Sequence, residues 1–305
     1  MPASFIYIIA RMSQLGGRVA VVTGASRGIG KGIALELGAA GATVYVTGRT
    51  TARGGGSGSG GGGRWLPGTI EDTADEITAC GGTGIAVQCD HHDDAQVDAA
   101  FERVLSERDG IDVLVNNVFA APDLAQWMNR PFWELPKQAW DEVIDIGVRS
   151  HYMAAARAAP SMVTRRRGLI VNISSSGAIQ YAHNVPYGVG KAAVDKMTAD
   201  MAHELSSHKV AVVSLWPGLV KTELVMFGAR RDEHGAEFLD LGGEGVFDLS
   251  GAESPRFVGR AVVALAADPG VIARTGKAFA VADLARDYGF TDIDGRIPQT
   301  LIRPQ

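Results

Sequence analysis

The 305-residue sequence is poor in cysteine and has no excess of basic residues. Its two cysteines, Cys80 and Cys89, cannot build the disulfide framework of a small secreted domain, and their spacing predicts no metal site. The 29 lysines and arginines are outnumbered by 34 aspartates and glutamates. This balance implies no basic surface and argues against a nucleic-acid partner. We therefore expect a cytoplasmic protein without a bound metal.

Two stretches of the chain are not expected to fold into regular structure. The N-terminal apolar run from Phe5 to Ala10 is far shorter than the ~20 residues of a membrane helix, and no basic segment precedes it as in a signal peptide. Met12 is an alternative start, so we expect residues 1–14 to be a flexible tail, with no role assigned to Met1–Arg11. The Gly/Ser-rich residues 53–68 have few side chains to bury and predict a disordered insertion.

From residue 15 to residue 305, apolar strand patterns alternate with amphipathic helix patterns. This alternation is typical of a single α/β domain. The acidic residues 219–255 lack a firm periodicity and indicate a substrate lid, and we expect only turns after about residue 280. The loop at 118–136 is rich in aromatic residues. It is a candidate wall for an apolar substrate pocket, with core or subunit contacts as the alternative.

The strongest local pattern begins with the apolar run Val19–Val22, which predicts a strand buried on both faces of a parallel sheet. Gly24, Gly28 and Gly30 follow in a tight turn, and a helical pattern follows the turn. A strand, a glycine turn and a helix in this order form a phosphate-binding device, because the backbone can approach closely and the helix offers unpaired N–H groups. A purely structural turn is the alternative at this point.

Polar residues also follow the other predicted strands, where ligands of open parallel sheets bind. They are Thr23, Arg49, Asp90, Asn116, the serines at 174–176 and Pro217–Gly218. Together with the Y-x-x-x-K spacing of Tyr187 and Lys191, the order T-G-A-S-R-G-I-G, N-N, I-S-S, Y-x-x-x-K, P-G resembles that of the short-chain dehydrogenase/reductases. The segments Y-G-V-G-K, S-L-W-P-G and D-L-A-R-D-Y-G-F-T-D-I-D-G-R look like the dehydrogenase/reductase SDR family member 1-like branch.

The resemblance implies a doubly wound Rossmann-like α/β domain with about seven parallel strands and helices on both faces. It also implies hydride transfer between a nicotinamide and a carbonyl or secondary alcohol. A free tyrosine, with a pKa near 10, is a weak base at neutral pH. Lys191 lies one helical turn after Tyr187, and its ammonium favours the tyrosinate. We therefore predict Tyr187 as the acid/base and Lys191 as the group that adjusts it.

A serine at the end of the fifth strand should hold the substrate oxygen. Alignment with the I-S-S of the family selects Ser175, whereas the commoner distance to the tyrosine selects Ser174. We prefer Ser175, because strand register is less elastic than the following loop. The resemblance predicts these cofactor-binding residues: Gly24, Ser26, Arg27, Gly28, Ile29, Gly30, Arg49, Asp90, Asn116, Tyr187, Lys191, Pro217, Gly218 and Thr222.

The nicotinamide cofactor is predicted to be NADP(H) in preference to NAD(H). An NAD-selective site places a carboxylate beyond the second strand to bind the ribose 2′-hydroxyl. Here Arg49 stands in that position and Arg27 lies in the glycine turn, and two cations suit a 2′-phosphate. By resemblance, Asp90 holds the adenine amine and Thr222 the nicotinamide carboxamide.

Two positions depart from the family pattern, and the first of them keeps a second function open. Gly147 stands where the family has an asparagine that interrupts the long helix, and His151 lies one turn later on the same face. Val118 and Phe119 are bulkier than the usual residues after Asn116–Asn117. The alternative to an oxidoreductase is a dinucleotide-binding regulator with little or no turnover, and a lyase or epimerase with the same triad is a third candidate. By analogy with the family we expect a homodimer or homotetramer.

Overall fold

The computed structural model describes residues 14–52, 66–119, 127–128, 130–300 and 302–304 of the chain. Ten strands lie in these residues: β1 (Val19–Val22), β2 (Thr43–Gly48), β3 (Thr83–Gln88), β4 (Val113–Asn116), β5 (Gly168–Ile173), β6 (Val210–Trp216), β7 (Arg230–Arg231), β8 (Glu237–Asp240), β9 (Val246–Asp248) and β10 (Ala278–Ala280). The predicted flexible tail at 1–14 and disordered insertion at 53–68 lie outside the described residues, apart from residues 14 and 66–68.

Seven of the strands form one parallel sheet in the order β10-β6-β5-β4-β1-β2-β3. β1 lies between β2 and β4, with Val21 opposite Tyr45 on one side and Leu114 on the other. The chain runs outward from β1 to β3 and then returns to β4 on the opposite side of β1. This reversal places a topological switch point at the carboxyl ends of β1 and β4, where open α/β sheets bind their ligands.

Helices cover both faces of the sheet: α1 (Gly28–Ala39), α2 (Ile70–Ala79), α3 (Asp94–Glu107), α4 (Lys137–Arg165), α5 (Val185–Leu205), α6 (Glu223–Gly228), α7 (Pro255–Ala267) and α8 (Val281–Tyr288). Short 3₁₀ turns lie at Phe132–Glu134, Ser176–Ala178, Ser206–His208, Gly242–Glu244 and Val271–Arg274. In β1, Ala20 and Val22 join the core beneath α1, α2, α7 and α8, whereas Val19 and Val21 join the core beneath α3, α4 and α5. A strand buried on both faces is predominantly apolar, which explains the run that predicted β1. The doubly wound Rossmann-like fold is confirmed.

The helix α4 is not regular throughout. It is α-helical over Lys137–Asp141, π-helical over Glu142–Arg149 and α-helical again over Ser150–Arg165. Gly147 lies inside the π-helical segment and is buried. Short π segments inside α-helices occur frequently at functional sites. The interruption of the helix that the family resemblance implied is therefore present, with glycine in place of asparagine.

Two parts of the chain carry more structure than the sequence indicated. The predicted lid at 219–255 contains α6 and an antiparallel sheet of β7, β8 and β9, and Leu239 of β8 forms a small buried cluster with Leu249 and Ala252. The expectation of turns after about residue 280 was wrong, because α8 follows β10 directly and buries Val281 and Leu284. No helix in the described part of the chain has the length and apolar content needed to cross a membrane.

Candidate active site

The turn between β1 and α1 depends on its glycines. Gly24 and Gly28 have φ values of +66° and +59°, in the left-handed region that favours glycine. A Cβ on Gly30 would lie 2.4 Å from the carbonyl oxygen of Gly24, so a larger residue does not fit. Ser26 is buried and Ile29 is half-buried within the same turn. The turn therefore brings the first N–H groups of α1 to the carboxyl end of the sheet, the arrangement that binds phosphate.

An anionic side chain already lies on this turn. Glu223 at the start of α6 accepts a hydrogen bond at Oε2 from the N–H of Gly28, with a distance of 2.7 Å. Thr222 begins the same helix, and its Oγ1 accepts from the N–H of Val225 at 3.3 Å. Since a carboxylate oxygen is held by this N–H, the turn fits an oxygen anion such as a dinucleotide pyrophosphate.

Two asparagines at the end of β4 hold the sheet and the glycine turn together. Asn116 is fully buried, and its Nδ2 donates to Oδ1 of Asn172 at 2.9 Å and to the carbonyl oxygen of His151 at 3.2 Å. Its Oδ1 is buried and has no hydrogen-bond partner among the described residues. Asn117, which the sequence analysis did not assign, donates from Nδ2 to the carbonyl oxygen of Gly24 at 3.0 Å. It braces the glycine turn against β4.

Arg27 and Arg49 lie at the same end of the sheet. The Nε of Arg27 donates to the carbonyl oxygen of Pro67 at 3.0 Å, and its Nη2 donates to that of Gly68 at 2.9 Å. Arg49 follows β2 and is exposed. Burial lowers the pKa of Arg27, the charge of Glu223 raises it, and the charge of Arg49 lowers it again. The two arginines are thus close enough to interact electrostatically.

Asp90 and His91 follow β3 on the same edge of the sheet. Asp90 is half-buried, and its Oδ1 accepts from the N–H of His92 at 3.1 Å. His91 is buried, with Nε2 located 2.8 Å from Oγ1 of Thr47. Burial lowers the pKa of His91 to about 4, so its imidazole is neutral at physiological pH. Asp90 remains available at the sheet edge, whereas His91 is part of the packing.

Pro217 and Gly218 follow β6, and a buried carboxyl group supports this bend. The Oε1 of Glu253 accepts from the N–H of Gly218 at 3.0 Å, while its Oε2 has no hydrogen-bond partner among the described residues. Burial raises the pKa of Glu253 to about 8; the hydrogen bond from Gly218 opposes that rise, and the charge of Asp292 adds to it. Glu253 is therefore mostly protonated at neutral pH.

Tyr187 and Ser175 are brought into direct contact. Tyr187 lies in the first turn of α5, which begins after Asn184, and Asn184 caps the helix by accepting from the Tyr187 N–H at 2.9 Å. The Oη of Tyr187 lies 2.9 Å from the Oγ of Ser175, just past the end of β5. The other candidate, Ser174, is buried and donates to the carbonyl oxygen of Lys191 at 3.2 Å. Of the two serines, Ser175 is thus the one whose hydroxyl meets the tyrosine.

Lys191 lies beneath this pair, one helical turn along α5. Its Nζ donates to the carbonyl oxygen of Ile173 at 3.2 Å and lies 5.7 Å from the centre of the Tyr187 ring. Burial lowers the pKa of Lys191 to about 8, and the negative charge of Asp195 raises it. The ammonium form therefore dominates at neutral pH while its proton is held less tightly than in a free lysine.

Phe119 closes the cleft above these residues. Its ring packs edge-on against Tyr187 with 5.8 Å between the ring centres, and the Nζ of Lys191 lies 5.0 Å from the centre of the Phe119 ring. A Cβ on Gly147 would lie 3.6 Å from Phe119, so this aromatic ring fills the space beside Gly147. Val143 and Gly190 line the rest of the cleft.

His151 lies behind the cleft rather than in it. Its ring is buried, and Nε2 lies 3.1 Å from the carbonyl oxygen of Val118. Burial and then the charge of Lys191 lower the pKa of His151 to about 3. It is a neutral packing residue, and its nitrogen supports the bulky segment that contains Val118 and Phe119.

Comparison with known proteins assigns the family. The sequence pattern of the short chain dehydrogenase family matches residues 65–233. The chain is 45% identical over 288 residues to dehydrogenase/reductase SDR family member 1 of Mus musculus, covering 93% of this chain and 86% of that protein. The chain belongs to the short-chain dehydrogenase family.

Other members of this family resemble this chain at lower sequence identity. A 3-oxoacyl-(acyl-carrier-protein) reductase of Staphylococcus aureus is 32% identical, with 67% of this chain and 75% of that protein covered. A metagenomic short-chain oxidoreductase solved in complex with NADP superimposes with a TM-score of 0.63 and 29% identity, covering 84% of this chain and 93% of that one. As a short-chain dehydrogenase, this protein is an oxidoreductase that acts on CH–OH or C=O groups and binds a nicotinamide dinucleotide.

The acidic residues around the site were not predicted from the sequence. Glu223 follows Thr222 directly, yet its contact with Gly28 spans 195 residues of sequence. Glu253 supports the Pro217–Gly218 bend across 35 residues. Asp195 had a local signal, because it lies one helical turn after Lys191 on the same face of α5.

Proposed function

We propose that the protein transfers hydride between NADP(H) and a carbonyl or secondary alcohol carried by an apolar small molecule. The observation that carries the proposal is the arrangement of Ser175, Tyr187 and Lys191: a hydroxyl pair at 2.9 Å with a buried lysine beneath it. This arrangement contains a proton donor, a group to orient the substrate oxygen, and a positive charge at the carboxyl end of the sheet. A protein that only binds dinucleotide has no need of all three.

In the direction of reduction, negative charge develops on the carbonyl oxygen as the carbonyl carbon accepts hydride. The Oγ of Ser175 donates a hydrogen bond to this oxygen, and the Oη of Tyr187 transfers its proton to it. The ammonium of Lys191 stabilises the tyrosinate that remains. In oxidation, the tyrosinate takes the proton from the alcohol. When bound, the nicotinamide supplies the hydride for reduction and accepts it in oxidation.

The preference for NADP(H) over NAD(H) is supported by the charges near the end of β2. Arg49 lies where an NAD site has a carboxylate, and Arg27 is close enough to be influenced by its charge. Two cations match the extra negative charge of a 2′-phosphate. The NADP complex of the related metagenomic oxidoreductase is consistent with this assignment.

The remaining cofactor contacts are assigned by position. The glycine turn and the N-terminus of α1 would hold the pyrophosphate, and Asp90 at the end of β3 would accept from the adenine amine. Pro217–Gly218 and Thr222 would flank the nicotinamide. Because the Thr222 hydroxyl oxygen accepts from the α6 backbone, its hydroxyl hydrogen remains for the carboxamide.

An apolar substrate is supported by the cleft lining, in which Phe119 and Val143 face the reacting groups. We further propose that residues 219–255 cover the bound substrate.

A homodimer or homotetramer formed through α4 and α5 is supported by large apolar side chains that these helices leave exposed. Trp140 and Tyr152 on α4 are 46% and 56% exposed, and Val189 on α5 is 41% exposed.

The proposal is tested with purified protein, NADPH and a panel of apolar ketones and aldehydes, followed at the nicotinamide absorbance. We expect turnover with NADPH and tighter binding of NADPH than of NADH. Tyr187→Phe should abolish turnover and leave NADPH binding unchanged, since the variant loses only a hydroxyl. Full activity in Tyr187→Phe would overturn the acid/base assignment. Tight NADPH binding without turnover on any carbonyl or alcohol would favour the alternative of a dinucleotide-binding regulator, for which Gly147 is the supporting departure.

A further inference from the structure

The carboxylate of Asp195 is fixed between α5 and β6. Its Oδ1 accepts from the Oγ of Ser214 at 2.5 Å, and its Oδ2 accepts from the Nε1 of Trp216 at 2.9 Å. Ser214 and Trp216 are two residues apart on β6, so both side chains point to the same face of the sheet. Two donors on one carboxylate stabilise its ionised form.

This carboxylate is also connected to Lys191. Asp195 lies one helical turn after Lys191 on the same face of α5. Ser174 lies beside both residues, because its single hydroxyl proton can be donated to the Lys191 carbonyl oxygen at 3.2 Å or to the Asp195 carboxylate. Burial raises the pKa of Asp195 above its ordinary value, and the hydrogen bonds from Ser214, Ser174 and Trp216 and the charge of Lys191 offset part of this rise.

Among the described residues, Asp195 is the one whose negative charge acts on Lys191. The Tyr187 and Phe119 rings face its Nζ, the Ile173 carbonyl oxygen accepts a hydrogen bond from it, and His151 on α4 is neutral. A buried ammonium without a compensating anion is costly and loses its proton readily. The anion that can compensate for Lys191 is Asp195.

We propose that Asp195 is a positioning residue that keeps Lys191 in its ammonium form and thereby supports proton transfer at Tyr187. The proposal rests on the proposed function of Tyr187 and Lys191. With Asp195 ionised, Lys191 stays mostly in the ammonium form at neutral pH. Without that charge, Lys191 releases its proton at lower pH and the tyrosinate loses its stabilising cation.

The competing explanation is that Asp195 only ties α5 to β6. Asp195→Asn separates the two explanations, because an asparagine can keep both contacts. Its Oδ1 accepts from the Trp216 Nε1, and its Nδ2 donates to the Ser214 hydroxyl, which accepts as readily as it donates. The structural tie is retained while the negative charge is removed.

The matched control lies on the same helix. Asp200 pairs with Lys196 at 2.5 Å in an exposed i, i+4 pair, so Asp200→Asn removes an equal charge away from the site. For wild type, Asp195→Asn and Asp200→Asn, kcat and KM are measured from about pH 6 to about pH 10, a range centred on the shifted lysine pKa. We expect the alkaline fall of kcat in Asp195→Asn to move to lower pH by about one unit, with KM for NADPH unchanged. Asp200→Asn should follow wild type.

A second measurement does not depend on turnover. The lysine side chains are labelled with ¹³C at Cε, the Lys191 resonance is assigned with Lys191→Arg, and its titration is followed by NMR. In Asp195→Asn the titration midpoint should fall by about one unit, and Asp195→Glu should restore part of the shift. In wild type alone, the same resonance should also respond at acidic pH as Asp195 takes up a proton, so the test survives a variant that does not fold.

These results separate the two proposals. Unchanged titration of Lys191 in Asp195→Asn, or a uniform loss of kcat without movement of the alkaline limb, would show a purely structural role and overturn the inference. Wild-type rates in Tyr187→Phe would instead overturn the proposed function. An inactive Tyr187→Phe together with an unshifted Asp195→Asn would leave the proposed function standing and refute the role of Asp195 alone.

Discussion

The carboxylate of Glu223 and the backbone N–H of Gly28 are joined by a hydrogen bond of 2.7 Å. Gly28 is the first residue of α1, and its N–H is among those that would meet a dinucleotide pyrophosphate. Glu223 begins α6, the first helix of the proposed substrate lid. One carboxylate therefore links α6 to the glycine turn, and in the proposed binding mode the cofactor pyrophosphate would displace it from the Gly28 N–H.

This contact predicts that Glu223→Gln binds NADPH more tightly than wild type. The carboxylate competes with the pyrophosphate for the same N–H and repels it, whereas the neutral amide competes more weakly. An anion at a helix N-terminus is worth about 0.3–1 kcal/mol, so with the added repulsion we expect an increase in affinity of several-fold. Isothermal titration calorimetry at low and high salt measures the effect.

The control for this variant is Glu237→Gln. Glu237 lies in β8 of the same lid and pairs with Lys221 and Arg231 at 3.7 and 3.1 Å, so its removal changes the lid charge equally without touching α1. Its NADPH affinity should remain that of wild type. Equal or weaker binding by Glu223→Gln would show that the carboxylate does not compete with the cofactor.

The position of the two serines yields a second prediction. Ser175→Ala should lower kcat by about 100-fold, because it removes the hydroxyl that lies 2.9 Å from the Tyr187 Oη and donates to the developing oxyanion. Ser174→Ala should reduce kcat only a few-fold, since Ser174 donates to the Lys191 backbone instead. Steady-state kinetics on the same substrate compare them. A larger loss in Ser174→Ala would reverse the assignment that strand alignment favoured.

The sequence predicted the central sheet well, and the reason is local. Each inner strand is a short apolar run that must be buried on both faces, so Val19–Val22 and Val210–Trp216 are visible without knowledge of their neighbours. The helix Val281–Tyr288 had a signal too, since Val281, Leu284 and Ala285 recur at helical spacing and Gly289 ends it with φ of +71°. This helix was not recognised because it is short and follows β10 directly.

The candidate site was predictable to the extent that its residues lie at strand ends or one helical turn apart. Tyr187 and Lys191 share a face of α5 for this reason. The acidic neighbours could not be derived in the same way, because Glu223 meets Gly28 across 195 residues and Asp195 takes its donors from β6. Strands β7 to β9 contain two to four residues each, too few for an alternation to be recognised.

Cofactor selectivity gives a third prediction. Arg49→Glu places the carboxylate of an NAD site beyond β2, so the variant should bind NADPH at least 10-fold more weakly and NADH no more weakly than wild type. Arg49 is the better choice for this test, because Arg27 donates to the carbonyl oxygens of Pro67 and Gly68 and its loss would disturb that segment. Dissociation constants of both cofactors, measured by tryptophan fluorescence, decide it. An unchanged NADPH:NADH ratio would exclude Arg49 from the 2′-phosphate site.

Glu253 makes the stability of the fold depend on pH in a specific direction. Burial raises its pKa from an ordinary value of 4.5 to about 8. Between these values the folded chain holds a proton that the unfolded chain has released. The contribution of Glu253 to the free energy of unfolding therefore falls as pH rises from about 4.5 to about 8. A glutamine at this position accepts from the Gly218 N–H in the same way but does not titrate.

We therefore expect the melting temperature of Glu253→Gln relative to wild type to rise steadily between about pH 5 and about pH 8. Differential scanning fluorimetry of both proteins across this range gives the difference directly. The buried His91 and His151 are present in both proteins, so their titration cancels. Glu102→Gln, an exposed change on α3, serves as the control and should give a flat difference. If the melting temperatures of Glu253→Gln and wild type instead changed in parallel with pH, Glu253 would already be ionised in the folded protein. The Pro217–Gly218 bend would then be supported by a buried carboxylate rather than by a carboxylic acid.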